Sequence, residues 1–307
     1  MAGSAPRLSY VVVSDTWATI AELVERLAAQ TVAAEIELVV VTPAEAELGS
    51  PPPAAACLGG LTVVVQPPTP LAAARAAGVR VASGDVVALG ETHVLPEPDW
   101  AERLLAAHDG GADAVIPAIE NANPGSRLSW ASFLMDYGRY SPFATRLPPV
   151  PTHNATIRRE LLLGAADVQR VLTRGSGLDD LLRDAGARAE RRPDVRLGHL
   201  NVEKPRSFLA ERVLVGRIIA AERRRIWPRA RTLAYAAAAP LIAVVLLWRS
   251  LQIGRRAPAP GGTALALGAG SLLWAFGETV GYLAGLAPTT EPRMLSYELH
   301  KRRHLAA

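Results

Sequence analysis

The chain has 307 residues, 50% of them hydrophobic, with 33 basic and 29 acidic side chains and one cysteine, Cys57. That length holds one large domain or two smaller ones around a well-buried core. The lone cysteine excludes an internal disulfide, and MAGSAPRLSYVVVSD reaches an acidic residue without the sustained apolar run of a secretory leader. Charge is segregated: residues 1–100 carry 4 basic and 11 acidic side chains, residues 201–307 carry 16 and 6. The C-terminal arginines lie beside apolar stretches, with no aromatic-interleaved basic groove, which argues against nucleic acid and for the anionic face of a membrane.

In chain order, Leu8 to Ser14 reads as a strand and Ala18 to Gln30 as a helix, with Ile20, Leu23, Val24 and Leu27 at helical spacing. Ile36 to Thr42 is a Val-rich second strand, nearly continuous as buried parallel strands are. Pro51 to Ala56 is a loop and Leu61 to Gln66 a third strand. Thr69-Pro70 opens an Ala-rich helix, Ser83-Gly84 breaks it, and Asp85 to Leu89 forms a fourth strand. At that strand's carboxyl end the character switches to Gly90-Glu91-Thr92-His93, the place where open α/β sheets handle ligands. A helix over Asp99 to His108 and a strand over Ala114 to Pro117 follow. Alternating strands and helices predict a mostly parallel, doubly wound sheet.

Glu120 to Pro151 is less regular and rich in aromatics, with Trp130, Phe133, Tyr137, Tyr140 and Phe143; it reads as a packed insertion or as a lid beside a pocket. Phe208 to Arg225 predicts a long amphipathic helix suited to a lipid interface. After Trp227-Pro228, Thr232 to Trp248 runs 17 residues without charge and Ala264 to Leu286 runs 23 with one, Glu278. At ~1.5 Å per residue these span roughly 25 and 35 Å, against a hydrocarbon core of ~30 Å. The pair predicts a spanning or re-entrant hairpin, with Pro240 inside its first arm and Trp227, Trp248 and Trp274 as interfacial anchors. The expected organisation is therefore a first domain over 1–206, an interfacial helix over 207–231, the hairpin over 232–290 and a basic tail over 291–307. Basic flanks on both sides of the hairpin place the first domain on the cytoplasmic side of the cytoplasmic membrane.

The run Ala74-Arg75-Ala76-Ala77-Gly78, followed by a hydrophobic strand ending in Glu91-Thr92-His93, resembles the family 2 glycosyltransferases of GT-A fold. Their usual pattern is Ala-Arg-Asn-x-Gly and then an Asp-x-Asp metal motif, so Ala76 and the Glu-x-His triplet are departures, as in divergent branches. The resemblance spans roughly residues 7 to 225. It implies a GT-A, Rossmann-like sheet and transfer of one sugar from a nucleotide-diphosphate donor to a hydroxyl acceptor, with inversion. An acceptor held at the membrane, such as a lipid-linked sugar, would explain the apolar hairpin.

The resemblance also implies roles. Glu91, His93 and the later His199 become candidate ligands of a divalent metal, Mn²⁺ or Mg²⁺, with the imidazoles favouring Mn²⁺. Ser14 and Asp15 fall where the nucleotide base is met, although the second strand ends in Thr42-Pro43 instead of the expected Asp. Arg75 becomes a diphosphate or base contact, and His153 and Asn154 line the pocket near the sugar. Asp179 and Asp180, in Gly175-Ser176-Gly177-Leu178-Asp179-Asp180, are candidates for the catalytic base. Each has an ordinary alternative: a packed histidine, a salt-bridged arginine, a turn cap, or acids favoured by a helix dipole. The Gln-x-x-Arg-Trp motif of processive synthases is missing, which favours single-sugar transfer. A degenerate GT-A-shaped scaffold is the competing expectation; a nucleotidyltransferase would need a Gly-rich loop where Ser14-Asp15-Thr16-Trp17-Ala18 stands.

Overall fold

Strand β1 (Leu8–Val13) is wholly buried and lies between two parallel neighbours, β2 (Ile36–Thr42) and β4 (Val86–Leu89). The computed structural model describes residues 5–173 and 177–306. β3 (Gly60–Val65) pairs parallel with β2 on the far side. The eight strands run in the order β3-β2-β1-β4-β7-β6-β8-β5, where β5 is Val94–Pro96, β6 Ala114–Asn121, β7 Thr156–Arg158 and β8 Ala189–His199. β7 pairs antiparallel with both β4 and β6, so the sheet is mixed: parallel from β3 to β4 and antiparallel at β7. The α/β, GT-A-type architecture expected from the sequence is the one observed.

Helices connect the strands: α1 (Trp17–Ala28), α3 (Leu71–Val81) and α4 (Trp100–Asp109) as expected, and the short α2 (Glu45–Leu48), which was not expected. Thr16 caps α1 by accepting from the Thr19 N–H. Gly78 lets α3 press onto the sheet: a Cβ there would sit 2.4 Å from a Val11 methyl and 2.9 Å from one of Val41. The Gly of the Ala-Arg-x-x-Gly run therefore answers to helix–sheet packing. Pro53–Cys57, expected as loop, forms a 3-10 turn.

The described residues fall into two compact units. The first comprises the chain up to Glu120 together with Leu147–Gly198; the second comprises Asn121–Arg146 and His199–Ala307. The first holds most of the sheet with α6 (Arg159–Leu163), α7 (Val168–Val171) and α8 (Gly177–Asp184). The second is helical: α5 (Arg127–Asp136), α9 (Pro205–Ile226), α10 (Arg229–Ala237), α11 (Ala239–Gly254), α12 (Thr263–Ala284) and α13 (Thr290–Leu299). The aromatic insertion thus packs with the C-terminal helices, and Trp130, Phe133, Tyr137 and Tyr140 are all buried.

The first apolar stretch is broken. α10 and α11 meet at a bend of 67°, with Pro240 in the first turn of α11, where its missing N–H leaves no helical bond unmade. α12 is long and apolar enough to cross a membrane. Glu278 is buried within the second unit, its carboxylate accepting from Trp274 Nε1 at 3.0 Å, the Tyr282 hydroxyl at 3.2 Å and Arg223 at 3.3 Å.

Candidate active site at the strand ends

The parallel register of β1 and β4 sends their carboxyl ends to the same edge of the sheet. Leu89 is level with Val11, and the Gly90 N–H donates to the Val11 carbonyl at 2.8 Å. Gly90 is required there, because a Cβ would lie 2.1 Å from the buried Tyr10 ring. The chain then delivers Glu91, Thr92 and His93, all buried. Burial raises the Tyr10 hydroxyl far above its ordinary range, and the Glu91 charge adds to this, so Tyr10 stays protonated.

His199 ends β8 in the same sheet. Glu91, His93 and His199 each offer a ligand atom, and these atoms lie within 4.8 Å of one another. The three residues that the sequence named as metal ligands are therefore brought together. His93 Nδ1 contacts the Thr92 hydroxyl at 3.2 Å and His199 Nδ1 the Asn201 amide oxygen at 3.0 Å. The Asn201 amide oxygen can only accept, so His199 carries its proton on Nδ1 and turns Nε2 toward coordination, the usual arrangement of metal-binding imidazoles, while the Thr92 hydroxyl orients the His93 ring.

Residues not anticipated from sequence hold His199 in place. Asn201 donates its amide to Asn121 at 2.9 Å and to the His199 carbonyl at 2.8 Å. Asn123 bonds both the Asn201 N–H and its carbonyl at 2.8 Å, and Tyr137 lies over the His199 ring at 3.9 Å between centroids. The signal was present as Asn121-Ala122-Asn123 at a strand exit, but amide pairs of this kind are common in turns.

The segment 150–154 crosses this edge and is tied at three points. Val150 N–H donates to Asp179 Oδ1 at 2.9 Å, Arg75 donates to the Thr152 carbonyl at 2.9 Å, and Asn154 donates its side-chain amide to Glu91. Asn154 adopts φ +56°, a left-handed conformation that Asn tolerates better than most residues. His153 Nδ1 stands 4.0 Å from the Glu91 carboxylate. Arg75 is buried, and its Nε has no acceptor among the described residues.

The remaining sequence candidates sit elsewhere in the local architecture. The Ser14 hydroxyl donates to the Thr16 carbonyl and Asp15 accepts from Thr19, so both shape the turn into α1. Asp180 is half-exposed and pairs with Arg183 on its own helix. Neither Asp179 nor Asp180 is within the Glu91–His93–His199 cluster. Gly175 and Ser176, which open that acidic segment in the sequence, lie outside the described residues.

The glycosyl transferase family 2 profile matches residues 10–163, half of the chain, and takes in β1, α3, β4 and the Asn154 segment. The chain belongs to glycosyl transferase family 2. It is a glycosyltransferase by that membership. Among solved structures it is similar to the TarS 1–349 fragment of Staphylococcus aureus, at 18% identity and TM-score 0.41, covering 70% of this chain and 65% of that one. It is also similar to the mannosyltransferase PcManGT of Pyrobaculum calidifontis, solved with GDP-Man and Mn²⁺, at 21% identity and TM-score 0.47, covering 96% of this chain and 80% of that one. The chain spans 39% of the longer TarS structure. No curated protein matches it.

Proposed function

We propose that this family 2 enzyme transfers one sugar from a nucleotide-diphosphate donor to a hydroxyl acceptor, with inversion, and that the acceptor is presented at the cytoplasmic membrane, as a lipid-linked sugar is. The observation that carries this reading is the convergence of Glu91, His93 and His199 at the sheet edge. Two imidazoles and one carboxylate suit Mn²⁺ better than the harder Mg²⁺. Glu91, His93 and His199 would hold such an ion, which would supply charge neutralisation for the departing diphosphate.

The chain's own groups supply the rest. Arg75, buried with an Nε that lacks an acceptor among the described residues, is suited to an anionic oxygen of the donor. His153 and Asn154 line the sugar side, with Asn154 also orienting Glu91. The acceptor oxygen attacks the anomeric carbon as the bond from that carbon to the diphosphate oxygen breaks. The hydroxyl proton passes to a carboxylate. Asp179, tied to the 150–154 segment, is the better placed of the two acids for that task, since Asp180 is engaged by Arg183 at the surface.

A panel of nucleoside-diphosphate sugars, with and without Mn²⁺, tests the reading. The matching donor at about a hundred times its Kd stabilises the protein by about 2.7 kcal/mol, read as a rise in Tm. Turnover should accompany the shift. A panel giving neither leaves only a GT-A-shaped scaffold; full activity in Glu91→Gln removes the metal while sparing the sugar transfer.

A further inference from the structure

The second unit turns apolar side chains outward. On α12, Leu265, Leu272, Phe276 and Leu283 form one exposed stripe, with Leu265 80% exposed. On α11, Leu241, Val244, Val245 and Trp248 form another at positions i, i+3, i+4 and i+7, with Trp248 60% exposed. α11 packs beside α12. Along the sequence that carries these stripes the exposed charge has one sign. From Arg223 to Gly277 the sequence holds eight arginines and no acidic residue, and seven of the eight are exposed.

The opposite face of α12 decides how such a surface meets lipid. α9 runs alongside it in the same direction at backbone contact. Phe208 lies against Gly270, the Val213 carbonyl against Gly277 and the Arg217 carbonyl against Gly281, where a Cβ would fall 2.2 and 2.4 Å from those oxygens. Further on, Arg224 donates to the Leu283 carbonyl. The contact therefore covers about 16 residues, roughly 24 Å of helix. α9 carries eight charged side chains over its length. α5 and α10 also pack on α12. A spanning α12 would drag the charges of α9 through the hydrocarbon, which a bilayer resists strongly.

We infer that the second unit docks in the plane of one leaflet, with the α11 and α12 stripes in the acyl layer, the arginine rim on anionic headgroups and α9 on the water side. This rests on the membrane part of the function proposed above and specifies it: the apolar pair is an interfacial platform, not a crossing. Exposed aromatic and aliphatic side chains rimmed by arginine are the features of helices that lie in an interface. Arg231 over the Trp227 ring, 4.0 Å from its centroid, adds an amphipathic contact at the rim.

Two measurements on the full chain test this. In flotation, the purified protein should bind phosphatidylcholine vesicles containing phosphatidylglycerol at least tenfold more tightly than phosphatidylcholine alone. Added salt should weaken the binding, and Leu265→Glu should lose it without a change in Tm. For topology, Gly261→Cys adds a thiol in open space between α11 and α12, alongside the natural exposed Cys57 of the first unit. In inverted membrane vesicles from expressing cells, an impermeant maleimide should label both cysteines. Protection of Cys57-bearing protein only at the new thiol, relieved by detergent, overturns the in-plane placement and leaves membrane binding intact. Failure to float overturns membrane binding itself while leaving sugar transfer standing. A salt-resistant dimer that Leu265→Glu dissociates shows instead that the stripe covers a second copy of the chain.

Discussion

The two units distribute polarity in opposite ways. In the first, β1 and β2 are buried from end to end, mainly by apolar side chains, with Ser9 bonded to Glu37 among them, and most of the unit's chemistry-bearing groups stand at strand ends. In the second, an ion-pair cluster lies inside and apolar stripes on α11 and α12 face outward. Arg212 is fully buried and bidentate to Asp136 at 2.8 and 2.6 Å. It also meets Glu211, which in turn holds Lys301 at 3.1 Å. Burial disfavours the Glu211 charge, but Lys301 and Arg212 outweigh it and hold the carboxyl below its usual range. A sheet offers a defined edge for a small ligand. A helical unit that fastens itself by ion pairs can leave its apolar residues for a partner surface.

The sharpest way to break the contrast is at the sheet edge. Glu91→Gln or His93→Gln should reduce turnover by about a thousandfold, about 4 kcal/mol in the transition state, with Tm little changed. A parallel fall in Tm would mean the residues are merely structural. In the second unit, Arg212→Met strands Asp136 and Glu211 and should cost about 3–5 kcal/mol, seen in urea unfolding. A neutral result would show that the buried charges do not fasten the unit.

Acid should weaken the first unit through two buried groups. Burial lowers His108 to about 4, and both ring nitrogens are engaged, at 2.8 Å by the Ala112 carbonyl and at 2.9 Å by the Thr156 hydroxyl. Neutral His108 thus contributes stability that is complete above its ordinary pKa of about 6.5 and is lost as pH falls toward about 4, roughly 3 kcal/mol in all. Glu37 acts in the same direction. Burial opposes its charge, but bonds from Ser9, Ser83 and Thr62 prevail and depress its carboxyl, so its contribution fades as pH drops through that lowered value. His108→Gln should flatten the upper part of the acid titration of stability. The smallest effect is expected at Asn201→Ala, which frees His199 to rotate: Mn²⁺ affinity should fall about 10–100-fold by calorimetry, with a secondary loss of turnover.

The strands and helices of the first unit were legible because period and burial agree there: IELVVVT and LSYVVV can only be sunk in a sheet. The Glu91–His93 pair was legible because it follows such a strand. β7 and β5, three residues each, carry too little pattern to read, which is why the antiparallel turn of the sheet was not foreseen. The break between α10 and α11 was marked by Pro240, yet hydropathy alone ran straight through it. Arg75 was read from its motif as a donor contact; in the structure it holds the Thr152 carbonyl, a long-range bond invisible in sequence. The asparagines behind His199 come from two distant segments and share no local signature.

Because the Val150 amide proton rests on Asp179, that single amide works as a built-in spectroscopic gauge of the carboxylate. Under the role proposed for Asp179, its chemical shift and its hydrogen-exchange rate would register any movement of that carboxylate away from the 150–154 segment. Occupancy could then be followed at one backbone position without labelling any ligand.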